Sequence, residues 1–423
     1  MTASSGRACY MGGVTHVKGF RFAGISAGIK SGDVLDLGLI VASEPVAAAA
    51  MFTRNVVRAH PVHLAEERVL SGKAQALLAN SGNANACNGI QGMNAALSTT
   101  RAVAKALGID EALVLPSSTG VIGQELPEGK INGALSSLIA NLGEENVDAF
   151  ADAIRTTDQW KKIASTTVEA NGKTATFLAI GKGAGMFHPD LAPAGQLPQA
   201  TGDHYDDDLS GLHATMLVYI LTDAEADLDC LKTSLDQSTD VTFGAATVDG
   251  DTSTNDSVFI LASGKSGVVL DEEQLTKALI EVCAPLAKSM VRDGEGAEHV
   301  ATIKVTGLRN DAEARDIARV VATSPLVKTA MTGKDANWGR LLMAAGRAGI
   351  PFDQNCATIN IEGCCICKNG GPTSEAADLQ ASSLMKSEEY IIELILGSGP
   401  GTFSYITSDL GHGYIDVNAG YRS

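Results

Sequence analysis

The sequence predicts an α/β protein built from closely packed layers. Glycine occurs 45 times and aromatic residues make up only 4% of the 423 residues, which favours tight turns and close packing over a fibrous or disordered chain. Short apolar runs typical of strands alternate along the chain with amphipathic helical patterns. A chain of this length is expected to form two domains or one large layered unit.

Composition and charge narrow the function classes. The formal net charge of -17, from 32 basic and 49 acidic residues, argues against a nucleic-acid surface, which needs a basic stripe. No apolar run reaches the roughly 20 residues that span a bilayer, and residues 1–10 lack the features of a signal peptide. Cys364, Cys365 and Cys367 have no second Cys/His pair at zinc spacing, so we expect strand residues of alternating exposure and no metal. We expect a cytoplasmic enzyme of small molecules, without a membrane partner.

The first elements are strands that end in polar turns. Apolar segments at 19–22, 33–41, 47–52, 76–80 and 113–116 predict strands, and 93–107 predicts a helix that stops at Gly108. Asparagine and glycine at 80–87 predict a sharp turn, either packed or facing a substrate. A hydroxyl-rich turn is predicted at 117–123. It either directs hydroxyls and N–H groups towards a developing oxyanion or is an ordinary helix cap with a glycine turn. The residues alone favour the cap.

A hairpin and a lysine follow two further helices. The helices are predicted at 131–141 and 147–155, the second ending at Thr156-Thr157-Asp158. Strands at 163–169 and 174–180 pair across Asn171-Gly172, a strong turn signal. Lys182 then lies between glycines at a strand end, where small neighbours let an anionic ligand approach closely.

A threonine opens the strand near the middle of the chain. Residues 188–212 form an insert rich in proline, glycine and aspartate, which we expect to be a solvated loop without a calcium-site pattern. Small Ala214 and Thr215 follow, and then the apolar run 216–221 predicts a buried strand. A threonine hydroxyl at such a corner can attack the preceding carbonyl, and hydrolysis would free its amine as a general base. Most threonines that open strands are only β-formers, so other motifs must support this role.

The second half continues the alternation. Helices are predicted at 228–235, 274–291 and 311–322, and the residues 326–330 and 335–340 begin a single helix that continues through 348. Strands are predicted at 257–262, 299–306, 357–361, 390–396 and 402–406. The polar loop 247–256 either binds a cation or supports neighbouring turns, which is the more common role. Glu295 lies between glycines, where it can reach a ligand amine, although most such glutamates are only exposed.

These stretches together resemble the ornithine acetyltransferase family, also called bifunctional glutamate N-acetyltransferase, of arginine biosynthesis. The resemblance covers nearly the whole chain. It is carried by 80–86, 117–123, 156–158, 182–186, 214–217, 253–256, 335–340 and 418–423, each weak alone but specific in this order. It implies a layered αββα-type sandwich resembling N-terminal nucleophile hydrolases, cut into an α fragment, 1–214, and a β fragment, 215–423. The family joins the Lys-Gly motif to the cleavage site by a short link, whereas here the insert intervenes.

The resemblance also implies roles for residues and partners. Cleavage falls between Ala214 and Thr215, Thr215 is the nucleophile, and Thr119 with Gly120 forms the oxyanion hole. The substrate-binding positions are Thr156 (favoured over Thr157), Lys182, Thr215, Glu295, Asn418 and Ser423. The implied partners are N-acetylornithine, glutamate and ornithine, and two α with two β fragments form a heterotetramer. No cofactor is expected, and the sequence leaves acetyl-CoA open as a co-substrate.

Two other functions fit the same residues. A self-cleaving aminopeptidase of similar fold would pass the acyl group to water, and it would release free acetate or amino acids without glutamate. A non-catalytic small-molecule binding protein would bind ornithine, remain uncut and catalyse no isotope exchange.

Overall fold

A computed structural model describes residues 9–11, 16–197 and 215–420. The chain divides into two compact units. Unit 1 holds the residues up to Gly244 together with Asp251–Met290, and unit 2 holds Ala245–Gly250 and Val291–Gly420. Both units combine strands with helices, so the predicted α/β class is confirmed.

The strands of the described residues are numbered in chain order. They are β1 (Cys9–Met11), β2 (Phe20–Ile25), β3 (Leu37–Thr53), β4 (Lys73–Asn83), β5 (Val114–Val121), β6 (Lys162–Ala170), β7 (Lys173–Lys182), β8 (Leu191–Pro193), β9 (Leu217–Thr222), β10 (Ala246–Thr247), β11 (Ser257–Ala262), β12 (Val300–Gly307), β13 (Thr358–Ile361), β14 (Cys364–Lys368), β15 (Gly371–Pro372), β16 (Glu389–Ile395) and β17 (Gly399–Ser408).

The helices are numbered in the same way. They are α1 (His60–Val69), α2 (Gly89–Leu107), α3 (Glu128–Ala140), α4 (Val147–Ala153), α5 (Leu228–Val241), α6 (Glu272–Arg292), α7 (Asp311–Ala322), α8 (Pro325–Thr332), α9 (Trp338–Gly346), α10 (Glu375–Leu384) and α11 (His412–Gly420). None of the helices in the described part of the chain combines the length and the hydrophobicity of a membrane span.

Unit 1 is built on one mixed sheet with the order β1-β6-β7-β9-β11-β3-β4-β5, and β2 and β8 add to β3. Strand β9 lies inside the sheet, antiparallel to β7 and parallel to β11, and every residue of it is buried. A strand that is covered on both faces must be apolar throughout, which explains the uninterrupted run at 217–221.

Apolar clusters cover both faces of this sheet. Along β3, Ile40 and Ala42 join one cluster while Leu39 and Val41 join another, as the period of two along a strand requires. Glycine lets the helix layer approach closely, because a Cβ on Gly38 would lie 2.8 Å from the Phe150 ring. The strand ends of unit 1 therefore belong to a rigid, well-packed sheet.

Unit 2 contains a second sheet in the order β10-β17-β12-β16-β13-β14-β15. On β12, Ile303 and Val305 are buried in the core, whereas Thr302 and Lys304 are half-buried. This alternation is typical of a sheet with helices on one face only. Helix α7 packs against β12 and β17 within this unit.

Many local predictions are confirmed. The hairpin β6–β7 turns at Asn171 and Gly172, both with positive φ (54° and 72°), and α2 stops at Gly108 in the left-handed conformation. Strand β9 and helix α7 lie where the apolar patterns predicted them.

Four predictions were wrong in detail. The turn expected from residue 117 is instead strand up to Val121, because β5 pairs in parallel with β4. The single helix predicted through residue 348 is two helices, α8 and α9, and the part of the insert at Leu191–Pro193 forms strand β8 on the edge of β3. The exposure of 364–368 does not alternate, because a register shift interrupts the pairing of β13 with β14. The rest of the insert, 198–212, lies outside the described residues.

Candidate active site

Thr215 lies directly before β9 and is almost completely buried, with 2% of its surface exposed. Its Oγ1 lies 2.8 Å from Ser253 Oγ, and either hydroxyl can be the donor. The next backbone N–H, of Met216, donates to Asp256 Oδ1 at 2.9 Å. The polar loop before β11 therefore fixes the start of β9 and contacts the predicted nucleophile.

Lys182 connects Thr215 with Thr119. It is the last residue of β7, which pairs with β9 so that Lys182 faces Leu217 across the ladder. Its side chain is fully buried, and Nζ donates to Thr215 O at 2.6 Å and to Thr119 Oγ1 at 3.3 Å. Because the Thr119 oxygen accepts from an ammonium group, its own proton stays available for donation. Three residues that are far apart in sequence thus meet at one place in unit 1.

Gly120 follows Thr119 on β5 and lies close to the backbone of β4. Its φ is 131°, and a Cβ there would lie 2.4 Å from the carbonyl carbon of Gly82 and 2.5 Å from the nitrogen of Asn83. Only glycine fits without moving the neighbouring backbone. The end of β5 is therefore held in one conformation beside Thr119, as an oxyanion site requires.

Asp158 is a buried carboxylate behind Lys182. Its Oδ1 lies 2.6 Å from Lys162 Nζ and accepts the Gly183 N–H at 2.8 Å, while Oδ2 lies 3.9 Å from Lys182 Nζ. Burial disfavours the charged carboxylate, but the two ammonium groups outweigh burial and hold the pKa of Asp158 well below its usual range. Asp158 also accepts the Thr156 N–H at 3.2 Å, so one carboxylate organises both the lysine and the threonine turn.

The Thr156-Thr157 turn carries two buried hydroxyl oxygens. Neither Oγ1 has a hydrogen-bond partner among the described residues. Buried hydroxyls are normally hydrogen-bonded, so two orphaned ones in one turn indicate a place for a ligand. The geometry does not select Thr156 over Thr157.

Asn255 joins three parts of the site. Its Nδ2 donates to Ala84 O at 2.8 Å and to Ser118 O at 2.9 Å, and its N–H donates to Ser253 Oγ at 3.1 Å. The loop at 253–256 therefore supports neighbouring turns, the more common of the two roles that its composition allowed. Among the described residues no group of three or more His, Cys, Asp or Glu side chains is arranged to hold a metal ion.

The asparagine-rich stretch after β4 uses its amides to hold its own shape. Asn80 Nδ2 donates to Asn83 O at 2.8 Å, and Ser118 Oγ donates to Asn80 Oδ1 at 2.6 Å. Asn85 has a positive φ of 51° and donates to Gly92 O at 2.9 Å. These contacts match the packed turn that was one of the two interpretations of this stretch.

Glu295 and Asn418 meet in unit 2. Asn418 Nδ2 donates to Glu295 Oε2 at 2.9 Å, although the two residues are far apart in sequence. The next residue, Gly296, has a φ of 69°, and a Cβ on it would lie 2.2 Å from Gly413, so the loop packs tightly on the start of α11. The two remaining predicted site residues, Ala214 and Ser423, lie outside the described residues.

Sequence reasoning missed three residues of this site: Asp158, Ser253 and Asn255. The motifs that contain them are visible in the sequence, but their contacts with Lys182, Thr215 and Ser118 are not. Their partners lie on other strands and loops, so only the fold reveals them.

Comparison with known proteins identifies the family. A model of the ArgJ family matches residues 21–423. The chain belongs to the ArgJ family. It is 42% identical over 410 residues to the arginine biosynthesis bifunctional protein ArgJ of Nitratidesulfovibrio vulgaris, covering 96% of this chain and 99% of that protein. The protein of the same name from Geobacter sulfurreducens is 40% identical over 414 residues, covering 96% and 100%.

Two solved structures also match part of this chain. That of the Bacillus halodurans ArgJ protein is 39% identical and covers 47% of this chain and 96% of its own, with a TM-score of 0.45. The Mycobacterium tuberculosis ornithine acetyltransferase complexed with ornithine is 36% identical and covers 43% and 96%, with a TM-score of 0.37. The sequence resemblance is thus confirmed by the ArgJ family match, and the chain is an acetyltransferase of arginine biosynthesis.

Proposed function

We propose that this chain transfers the acetyl group of N2-acetyl-L-ornithine to L-glutamate through an acetyl-threonine intermediate, after cutting itself between Ala214 and Thr215. The observation that carries the proposal is the position of Lys182 Nζ, within hydrogen-bond distance of both Thr215 O and Thr119 Oγ1. It links the proposed nucleophile to the proposed oxyanion site in a buried environment, where electrostatic stabilisation is strong.

Self-cleavage begins with an N-to-O acyl shift. Thr215 Oγ1 attacks the carbonyl carbon of Ala214, the bond from that carbon to Thr215 N breaks, and the hydroxyl proton passes to the nitrogen. Water then hydrolyses the ester and leaves a carboxylate on Ala214 and a free α-amine on Thr215. Ser253 Oγ, 2.8 Å from Thr215 Oγ1, is placed to accept or return the hydroxyl proton.

Acetyl transfer uses the amine that cleavage exposes. The amine takes the Thr215 hydroxyl proton, and the oxygen attacks the acetyl carbonyl of N-acetylornithine. Thr119 O–H and Gly120 N–H stabilise the oxyanion, ornithine leaves with the proton, and an acetyl ester remains on Thr215. The α-amine of glutamate then attacks this ester and restores the threonine, which gives ping-pong kinetics without a cofactor.

The remaining expectations from the sequence belong to the same proposal. Thr156, Lys182, Glu295, Asn418 and Ser423 contact the substrate, with Lys182 suited to a carboxylate and Glu295 to an ammonium group. Acetyl-CoA is a candidate second donor. The fragments assemble as a heterotetramer of two α and two β fragments in the cytoplasm. Strand β9, at the start of the β fragment, pairs with β7 of the α fragment, and this pairing favours fragments that stay joined after the cut.

The proposal is tested with Thr215→Ala, Thr215→Ser and the control Thr201→Ala, which changes an Ala-Thr pair within the insert. Transfer of labelled acetyl from N-acetylornithine to glutamate is measured for each protein. We expect no transfer by Thr215→Ala, partial transfer by Thr215→Ser and wild-type transfer by Thr201→Ala. Transfer by Thr215→Ala at the wild-type rate would overturn the role of Thr215.

A further inference from the structure

Lys30 lies on a loop whose backbone is fixed by one buried carboxylate. Asp36 is fully buried, and its two oxygens accept the N–H groups of Ala27, Ile29 and Lys30 at 2.6, 2.6 and 2.9 Å. Three charge-assisted hydrogen bonds to one side chain leave this loop little conformational freedom. The backbone position from which the Lys30 side chain extends is therefore preorganised.

The Lys30 side chain extends from Gly82 on β4 to the Thr156-Thr157 turn. A Cβ on Gly82 would lie 2.7 Å from Lys30 Cγ, so glycine at that position makes room for the lysine stem. Gly82 is the residue that pairs with Gly120 across β4 and β5. At its other end, Lys30 Nζ donates to Arg155 O at 3.0 Å, the carbonyl directly before Thr156.

The ammonium group of Lys30 retains donors for a ligand. An ammonium group has three donors, and Arg155 O is its one hydrogen-bond acceptor in the part of the chain that the structure describes. Burial lowers the pKa of Lys30, as does the Arg155 guanidinium, and the carboxylates of Asp36, Asp158 and Asp152 offset this only in part. Lys182 differs, because it is fully buried and directed at Thr215 O and Thr119 Oγ1.

We propose that Lys30, as a second cation in addition to Lys182, binds the α-carboxylate of the substrate together with the buried hydroxyls of Thr156 and Thr157. The proposal rests on the proposed function. In an N2-acetylated amino acid the carboxylate is attached to the carbon that bears the acetylated nitrogen, so an anion-binding group must lie near the oxyanion site. Lys30 lies near that site, because its stem passes Gly82, the residue that pairs with Gly120, and its Nζ lies at the carbonyl directly before Thr156. The carboxylate would also give the two orphaned hydroxyls an acceptor.

The test compares two acetyl donors that differ only in this carboxylate. N-acetylornithine and its decarboxylated analogue, N-acetyl-1,4-diaminobutane, are assayed as donors to glutamate, at fixed glutamate, with wild type, Lys30→Met, Lys30→Arg and Lys130→Met. Lys130 is a matched control, since its Nζ donates to Gly28 O at 2.5 Å and supports the same loop from its exposed side. Each protein is first analysed by mass for the two fragments and by circular dichroism for folding.

We expect Lys30→Met to lower kcat/KM for N-acetylornithine by about 10- to 100-fold more than for the analogue, the effect of one lost charge-assisted hydrogen bond. Lys30→Arg should recover most of this selectivity, and Lys130→Met should match wild type. An equal loss for both donors, or no loss, would overturn the proposal. If Lys30→Met does not fold, Lys30→Gln, which keeps a donor for Arg155 O, must show the same selective loss.

The two proposals fail in different ways. If wild-type protein transfers no acetyl group from N-acetylornithine, the proposed function itself is wrong. If wild type and Lys130→Met transfer normally but the Lys30 variants do not distinguish the two donors, only the role of Lys30 is wrong.

Discussion

Asp158→Asn is expected to destabilise unit 1 strongly. The carboxylate is fully buried between Lys162 and Lys182 and accepts the Gly183 N–H, so its neutralisation leaves two buried ammonium groups without their shared anion. Removal of one partner from a buried ion pair costs about 3 to 5 kcal/mol, because the remaining charge stays desolvated. We expect a loss of this size in the free energy of unfolding of unit 1.

Tryptophan fluorescence can report this loss from the site itself. The chain has two tryptophans, so Trp338→Phe leaves Trp160 as the single reporter. The Trp160 Nε1 donates to Ser289 Oγ at 3.3 Å, and Lys162 Nζ lies 5.9 Å from its ring centroid. Urea unfolding in the Trp338→Phe background would then follow this region of unit 1 alone.

The matched control is Asp152→Asn, six residues earlier in the chain. Asp152 pairs with Arg155 and Lys161, but its side chain is 34% exposed, so its loss should cost at most about 1 kcal/mol. If Asp158→Asn costs no more than this control, the buried ion cluster does not hold the site together.

The sign of the pH effect follows from the pKa. The folded pKa of Asp158 is below its unfolded value of about 3.9, so its stabilisation is fully present above about pH 5 and is lost as the pH falls through the unfolded pKa towards the folded pKa. The difference between wild type and Asp158→Asn should therefore be constant from about pH 5 to 8 and should shrink under stronger acid.

Three further changes test other parts of the site. Gly120→Ala should abolish transfer and lower soluble yield, because its Cβ would lie 2.4 Å from neighbouring backbone, whereas Gly129→Ala, with open space around it, should keep both. Ser253→Ala should slow appearance of the two fragments by about 5- to 10-fold, the effect of one lost hydrogen bond to Thr215, and an unchanged rate by gel analysis would remove it from the proton path. Glu295→Gln should raise KM for N-acetylornithine more than it lowers kcat, because the ammonium group loses its counter-charge, and steady-state kinetics would reveal any other pattern.

Local features of this fold could be predicted from the sequence because their causes are local. Asn171-Gly172 requires positive φ at both turn residues, and Gly108 ends a helix for the same reason. The apolar run before Thr222 is a strand that is covered on both faces. Such features depend on residues that are close together in the chain.

Features that depend on distant pairing could not be predicted. Residues 117–121 are strand because β4 lies beside them, and no nearby residue signals this partner. Asp158 and Lys182 meet only after the hairpin folds back, and Lys30 reaches Arg155 O across more than a hundred residues. A buried charge has no signature in hydrophobic periodicity, so its role becomes visible only when its partners are located.

The proposed mechanism requires that Thr215 becomes a new N-terminus. The most direct measurement is the intact mass of the purified full-length protein, followed by N-terminal sequencing of the fragments. Wild-type protein should give two fragments, the second beginning Thr215-Met216-Leu217, and Thr215→Ala should give a single uncut chain. A single uncut chain in active wild-type protein, or a cut at another residue, would contradict self-cleavage before Thr215.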